Sequence, residues 1–166
     1  MGKKHPNITH LNEVESRTVE KGKFAFTGKR LAHPSGAKSL GLGWFEVPSG
    51  KTAFPHHYHC ANEEGIYILE GHGEARIGTE TVKVEANEYI AYPPGPEHAH
   101  SLKNTGSTPL RYICISTMVT TEIVGYPDSK KFAGVGNMDP ATGAMGAKVR
   151  FIIKEQPSVD YYDGEV

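Results

Sequence analysis

Cysteine is scarce in this chain. Cys60 and Cys114 are the only two, they lie far apart, and they form no CxxC pair. That leaves no basis for a disulfide framework, and the pair reads as two reduced thiols of a cytoplasmic protein. No stretch is long and apolar enough to span a membrane. The opening MGKKHPNITHL holds no apolar run of signal-peptide kind, and Pro6 breaks the myristoylation pattern. An excess of one charge is lacking too. The formal net charge is -1 at pH 7, with no basic stripe to suggest nucleic acid and no acidic block to suggest a solvated tail. There is no GxSxG elbow and no Ser/His/Asp signature. The glycines at Gly41 and Gly43, and at Gly134 and Gly136, open no helix, so a phosphate loop is not expected. No internal repeat and no low-complexity segment is visible.

What is present is a chain of one-domain length. Its 166 residues can bury a real core, and its 37% hydrophobic and 22% charged residues are those of a globular protein. Nineteen glycines and 11 prolines favour many short strands joined by tight turns. Residues 39–47 (SLGLGWFEV) form the first strong strand pattern, and residues 52–59 and 64–70 follow it. Residues 81–85 alternate, and further strands are expected at 74–77, 88–92, 97–103, 110–118 and 149–154. This is roughly eight or nine short strands at hairpin spacing, the signal of an all-β barrel or sandwich. Residues 1–38 read as an N-terminal arm and edge strand, 39–120 as the barrel, and 121–166 as a C-terminal loop and closing strand of the same domain. Within the last part, residues 125–148 are so rich in Gly, Pro, Asp and Asn that a lid, a dimer-wrapping arm or a partly disordered segment is expected, with a plain surface arm the commonest outcome.

The chemistry is concentrated in HHYHCANEE and PPGPEHAH. His57 and His59 are two apart, so on a strand both imidazoles share a face while Tyr58 points away. Cys60 should also point away from that face. Glu64 opens the next strand beside them, and Ile66 and Ile68 continue its face as a dry wall. A further ligand must come from a third strand, where His98 and His100 are both eligible. Histidines with a carboxylate suit a divalent transition metal: imidazole suits iron, nickel, copper and zinc, and the carboxylate extends the choice to manganese. A lone histidine is more often a surface or satisfied core residue, and it is the conjunction of HxH, a glutamate and a second histidine strand that points to a metal.

In this respect the chain resembles the cupin superfamily. Gly50, His57, His59, Glu64 and Gly71 match its first motif, with one extra residue after Gly50. Pro93, Gly95, a histidine and Asn104 match the second, with Asn87 where that motif begins on glycine. Asparagine also enters the left-handed conformation, so the exchange is physically tolerable. The resemblance spans about residues 40–118. It implies a small jelly-roll barrel with three histidines and a glutamate around a metal. Counting forward from Gly95 selects His98, and counting back from Asn104 selects His100. The spacing to the strand-ending asparagine favours His100. His98 is then the alternative fourth ligand, or a substrate-facing catalytic group. The wider chain is similar to single-domain bacterial cupins, several of them provisionally labelled sugar-phosphate isomerases.

The expected cofactor is therefore a divalent Mn, Fe, Ni or Zn ion held by His57, His59, Glu64 and His100. The expected substrate is a small polar molecule, sugar-like or hydroxy-carbonyl, and the expected chemistry isomerase or lyase, with His98 moving a proton. An Fe(II) dioxygenase and a non-catalytic binding module are the competing classes. Lys29, Arg30 and Arg76 are candidate anion-binding residues, although solvated charges are commoner, and Asp128 could enter the site from the expected lid. A homodimer is expected, with neither a nucleic-acid nor a membrane partner.

Overall fold

Alternation of apolar and polar residues sets the strands, and the turns between them are short. The computed structural model describes residues 4–139 and 146–165. Its strands are β1 (Arg17–Lys21), β2 (Phe24–Arg30), β3 (Leu40–Val47), β4 (Tyr58–His59), β5 (Glu64–Glu70), β6 (His72–Ile77), β7 (Glu80–Glu85), β8 (Tyr89–Tyr92), β9 (His100–Asn104), β10 (Leu110–Thr117), β11 (Glu122–Tyr126), β12 (Lys131–Gly136) and β13 (Val149–Lys154). Every strand pairing is antiparallel. Among the described residues no helix is long and apolar enough to cross a membrane.

One sheet runs β1-β2-β3-β10-β5-β8. The opposite side is built from β13-β12-β11-β4 and β7-β6-β9. A single antiparallel bridge between His57 and His100 links those two pieces. The result is an all-β jelly-roll barrel. Its core lies between the sheets, where Phe26, Val47, Ile66, Ile68, Leu102, Leu110 and Tyr112 are buried. Ile66 and Ile68 are inward neighbours on β5, two and four residues beyond Glu64, so the strand that delivers the carboxylate is anchored by the core itself.

Four segments differ from the sequence reading. The N-terminal part contributes an edge strand, β1, and also β2, which lies inside the sheet between β1 and β3. Residues 52–59 are not a continuous strand, since only Tyr58–His59 and isolated bridges at Thr52 and His57 pair. Part of residues 125–148 is sheet rather than lid, arm or loop. Their first half belongs to the β11–β12 hairpin, and β11 pairs with β4, placing Val124 opposite His59; residues 140–145 lie outside the described residues. The glycines that suggested a loop are places where rings cover the sheet. A side chain at Gly125 would collide with the Tyr58 ring, and one at Gly134 with the Phe151 ring. Glycine in a strand often marks such close approach. β13 follows as the outermost strand of its sheet rather than a closing one.

Asn87, in the place of the motif glycine, has φ 76°, the left-handed conformation that asparagine tolerates. Asn104 ends β9 with no solvent exposure. Its Nδ2 donates to the carbonyls of Val47 and Thr108, both at 2.8 Å, and its Oδ1 accepts from Gly106 N at 2.8 Å. Asn104→Ala leaves those buried backbone groups unpaired. A loss of about 2–4 kcal/mol is expected in urea unfolding, and a change below about 0.5 kcal/mol would contradict this role.

Candidate metal centre

β4, β5 and β9 each bring a ligand-type side chain to one point. Facing atoms of His57, His59 and Glu64 lie within 4.8 Å of one another. Glu64 Oε2 is 3.4 Å from His59 Nε2 and 4.0 Å from His57 Nε2. His100 joins through the same oxygen, its Nε2 at 3.3 Å. The rings of His57 and His100 sit across their backbone bridge, with centroids 4.6 Å apart. Tyr92 stacks on His100 at 3.7 Å with its plane tilted only 7°, which holds that ring in place.

Ring orientation follows from the second nitrogen of each imidazole. His57 Nδ1 is 2.8 Å from the Pro55 carbonyl oxygen, and His100 Nδ1 is 3.1 Å from that of His98. A carbonyl only accepts, so each Nδ1 carries the proton. In the neutral ring, Nε2 is then left with its lone pair facing Glu64. His59 turns its Nδ1 to the carboxylate of Glu122, with Oε2 at 3.4 Å. Both of its nitrogens are buried, and their partners among the described residues are the carboxylates of Glu122 and Glu64, each an ion-pair contact at 3.4 Å. A buried polar atom needs a partner, and a lone pair aimed at neighbouring imidazoles and a carboxylate fits a divalent metal.

Electrostatics divides the histidines. Burial pushes His57 down to about 4, with the neighbouring His100 adding to the effect. Burial also opposes charge on His59, but Glu122 and Glu64 on either side outweigh it and raise this ring to about 9. Burial likewise works against ionised Glu64, yet contacts with His100 and His59 hold its carboxyl well below the usual carboxylate range. Burial raises the Cys114 thiol, and Glu64 beside it adds to that. Cys114 Sγ lies 3.9 Å from Glu64 Oε1, as a thiol rather than a thiolate.

His98 is placed differently. It ends a 3-10 turn, Pro96–His98, so it does not share a strand face with His100. Its ring is 36% exposed, with Nε2 3.8 Å from Glu97 Oε1, while its carbonyl holds His100. Cys60 is exposed, away from the ligand face. Of the candidate anion-binding residues, Lys29 donates to the Leu11 carbonyl at 3.0 Å. Arg76 pairs with Asp128 at 2.9 Å, which ties Asp128 to the barrel surface. Arg30 instead lines a cavity of about 290 Å³ that opens over His59 and Glu64. Leu42, Phe45, Met118 and Met138 give that cavity an apolar wall, and His33 and Lys38 stand with Arg30 among its lining residues. Glu64 is its only lining carboxylate among the described residues.

Glu122 is the residue that sequence reading missed. It is 4% exposed. It accepts from the backbone N–H groups of Cys60 (3.0 Å), Ala61 (3.0 Å), Asn62 (2.6 Å) and Ile123 (2.8 Å). In sequence it is one acid among many in a strand pattern, and nothing in TTEIVGY distinguishes it from a solvent-facing one.

Comparison with known proteins agrees with this geometry. The family model described as a cupin domain matches residues 43–116, the stretch that contains His57, His59, Glu64 and His100. An uncharacterized protein of Methanocaldococcus jannaschii is 33% identical over 90 residues, 53% of this chain and 70% of the relative. The tetracenomycin polyketide synthase protein TcmJ of Streptomyces glaucescens is 28% identical over 118 residues, 69% of this chain and 77% of the relative. A solved structure of a provisionally assigned sugar phosphate isomerase from Acidithiobacillus ferrooxidans superposes with TM-score 0.77 at 17% identity. That match covers 90% of this chain and 92% of the other and shows the shared fold. Motifs, barrel and family model agree that the chain belongs to the cupin superfamily.

Proposed function

We propose that this cupin is a metal-dependent enzyme acting on a small polar, sugar-like or hydroxy-carbonyl substrate. Its ligands in this reading are His57, His59, Glu64 and His100. The observation that carries it is the convergence of three imidazoles on one half-buried carboxylate beside a partly open cavity. A cavity of about 290 Å³ lies at the small end of ligand pockets and suits a compact substrate.

A bound Mn, Fe, Ni or Zn ion would supply Lewis acidity toward a carbonyl or hydroxyl oxygen. The remaining work falls to the chain. Ile66 and Ile68 back the ligand strand with dry core, and the low local dielectric strengthens each charge at the site. Arg30 and Lys38 give the cavity a cationic lining that favours a substrate carrying negative charge. Leu42, Phe45 and Met118 would pack on its carbon skeleton. A proton would move through a side chain, and His98 is the proposed carrier, although it is not among the residues that line the cavity. The alternative, a polyketide-type substrate, is favoured by the apolar wall and by the likeness to the tetracenomycin protein.

Substitutions test the ligand set. His57→Ala, Glu64→Ala and His100→Ala should each strip most metal from untagged protein with the fold retained, whereas His98→Ala should keep it, as read by elemental analysis and circular dichroism. Full occupancy in all four variants would defeat the assignment. Turnover of a panel of sugars, hydroxy acids and aromatic polyketides, lost in His57→Ala, would separate enzyme from binding module.

Protonation gives a second test. His59, raised to about 9, carries a proton at neutral pH that a metal must displace, while His57 at about 4 is already neutral. Metal uptake at pH 7 should therefore release about one proton from His59, and affinity should rise about tenfold per pH unit up to about pH 9. Calorimetry in buffers of different ionisation enthalpy reads this directly, and uptake without proton release would contradict it.

The chain is also proposed to act as a homodimer. β13 is an outer strand, and its Val149, Phe151, Ile152 and Ile153 are exposed, an unprotected edge of the kind that pairs with another chain. Light scattering should give twice the chain mass; a monomer would refute it.

A further inference from the structure

We propose that Glu122 is the positioning residue of the metal centre: its buried carboxylate locks the His59 ring with Nδ1 inward and Nε2 toward Glu64. This rests on the metal reading above and adds to it a residue from β11, outside the stretch of residues 43–116 that matches the cupin domain.

The need for Glu122 arises from backbone bookkeeping. His57 and His100 each turn Nδ1 to the carbonyl two residues earlier in the chain, that of Pro55 and of His98. For His59 the corresponding carbonyl is that of His57. That oxygen already accepts from His100 N at 2.7 Å, in the bridge that joins the two halves of the sheet. The device that orients the other two rings is therefore committed elsewhere at His59. Glu122 Oε2, 3.4 Å from His59 Nδ1, is the acceptor that takes its place.

Glu122 is itself held in place. Three of its four backbone donors, Cys60, Ala61 and Asn62, form the turn between β4 and β5. One carboxylate thus fixes a ligand ring and the turn connecting His59 to Glu64. Outer acceptors of this kind fix ring tautomer and orientation in metal sites, and their loss typically costs about 10–100-fold in metal affinity. An amide cannot replace both functions. With its oxygen on the backbone N–H groups, a glutamine turns its NH2 toward the His59 N–H, donor against donor.

The test is a titration of the untagged, metal-stripped full chain with Co(II), followed by its visible spectrum, in wild type, Glu122→Gln and Asn62→Ala. Asn62 lies in the same turn. Its Oδ1 accepts from Val119 N at 2.8 Å and Thr117 Oγ1 at 3.3 Å, so Asn62→Ala loosens the turn while leaving the Glu122 carboxylate facing His59. The proposal expects Glu122→Gln to bind Co(II) about 10–100-fold more weakly with an altered spectrum, and Asn62→Ala to bind as wild type at a comparable loss of Tm. Affinity that simply tracks Tm in both variants would reduce Glu122 to a structural role and overturn the proposal. If Glu122→Gln does not fold, nitrogen-15 shifts of the zinc-loaded wild type decide: a protonated Nδ1 on His59 supports the lock, and a metal-bound Nδ1 overturns it. A wild type that takes up neither ion would remove the metal reading first, and this proposal with it.

Discussion

The structure turns on one pair of backbone hydrogen bonds. His57 N donates to His100 O at 3.0 Å, and His100 N donates to His57 O at 2.7 Å. This reciprocal pair joins β4 and its neighbours to β9 and its neighbours, two pieces of sheet that otherwise end there. Residues opposed in such a pair carry their side chains on the same face of the sheet. Closing the barrel wall and bringing two imidazoles together are therefore a single event. β5, anchored by Ile66 and Ile68, then sets Glu64 against them, and β11 braces His59 from behind. Fold and site cannot be separated in this region.

The charge arrangement follows from that closure. Glu64 is half-buried with three imidazoles around one oxygen, and His59 lies between two carboxylates. Such groups are expensive to desolvate unless they are compensated. Without a metal, a proton on His59, whose ring is raised to about 9 by the two carboxylates, would supply the compensation at neutral pH; with one, a divalent cation would take over that role. His59 and Glu64 of this cluster also line a cavity that holds Arg30 and Lys38.

Much of the site could be read in the sequence because it obeys the period of a strand. His57-x-His59 gives one face by alternation alone, Glu64 falls on the next strand, and Asn104 marks the end of a third. The choice between His98 and His100 could not be settled by counting, because a 3-10 turn at Pro96–His98 replaces the strand assumed there. β2 was hidden by the polar residues on both sides of FAFTG. The β11–β12 hairpin was hidden by glycines that exist to seat the Tyr58 and Phe151 rings, a long-range reason that local composition cannot express. Glu122 was out of reach for a related cause. Its significance comes from a turn about 60 residues earlier, and no local pattern marks a carboxylate as buried.

The most direct test of the account is an anomalous diffraction map from crystals of the zinc-loaded, untagged protein, recorded at the zinc edge. One strong peak bonded by Nε2 of His57, His59 and His100 and by the carboxylate of Glu64 is the predicted result. A peak held by His98 in place of His100, or no peak between β4, β5 and β9, would contradict it.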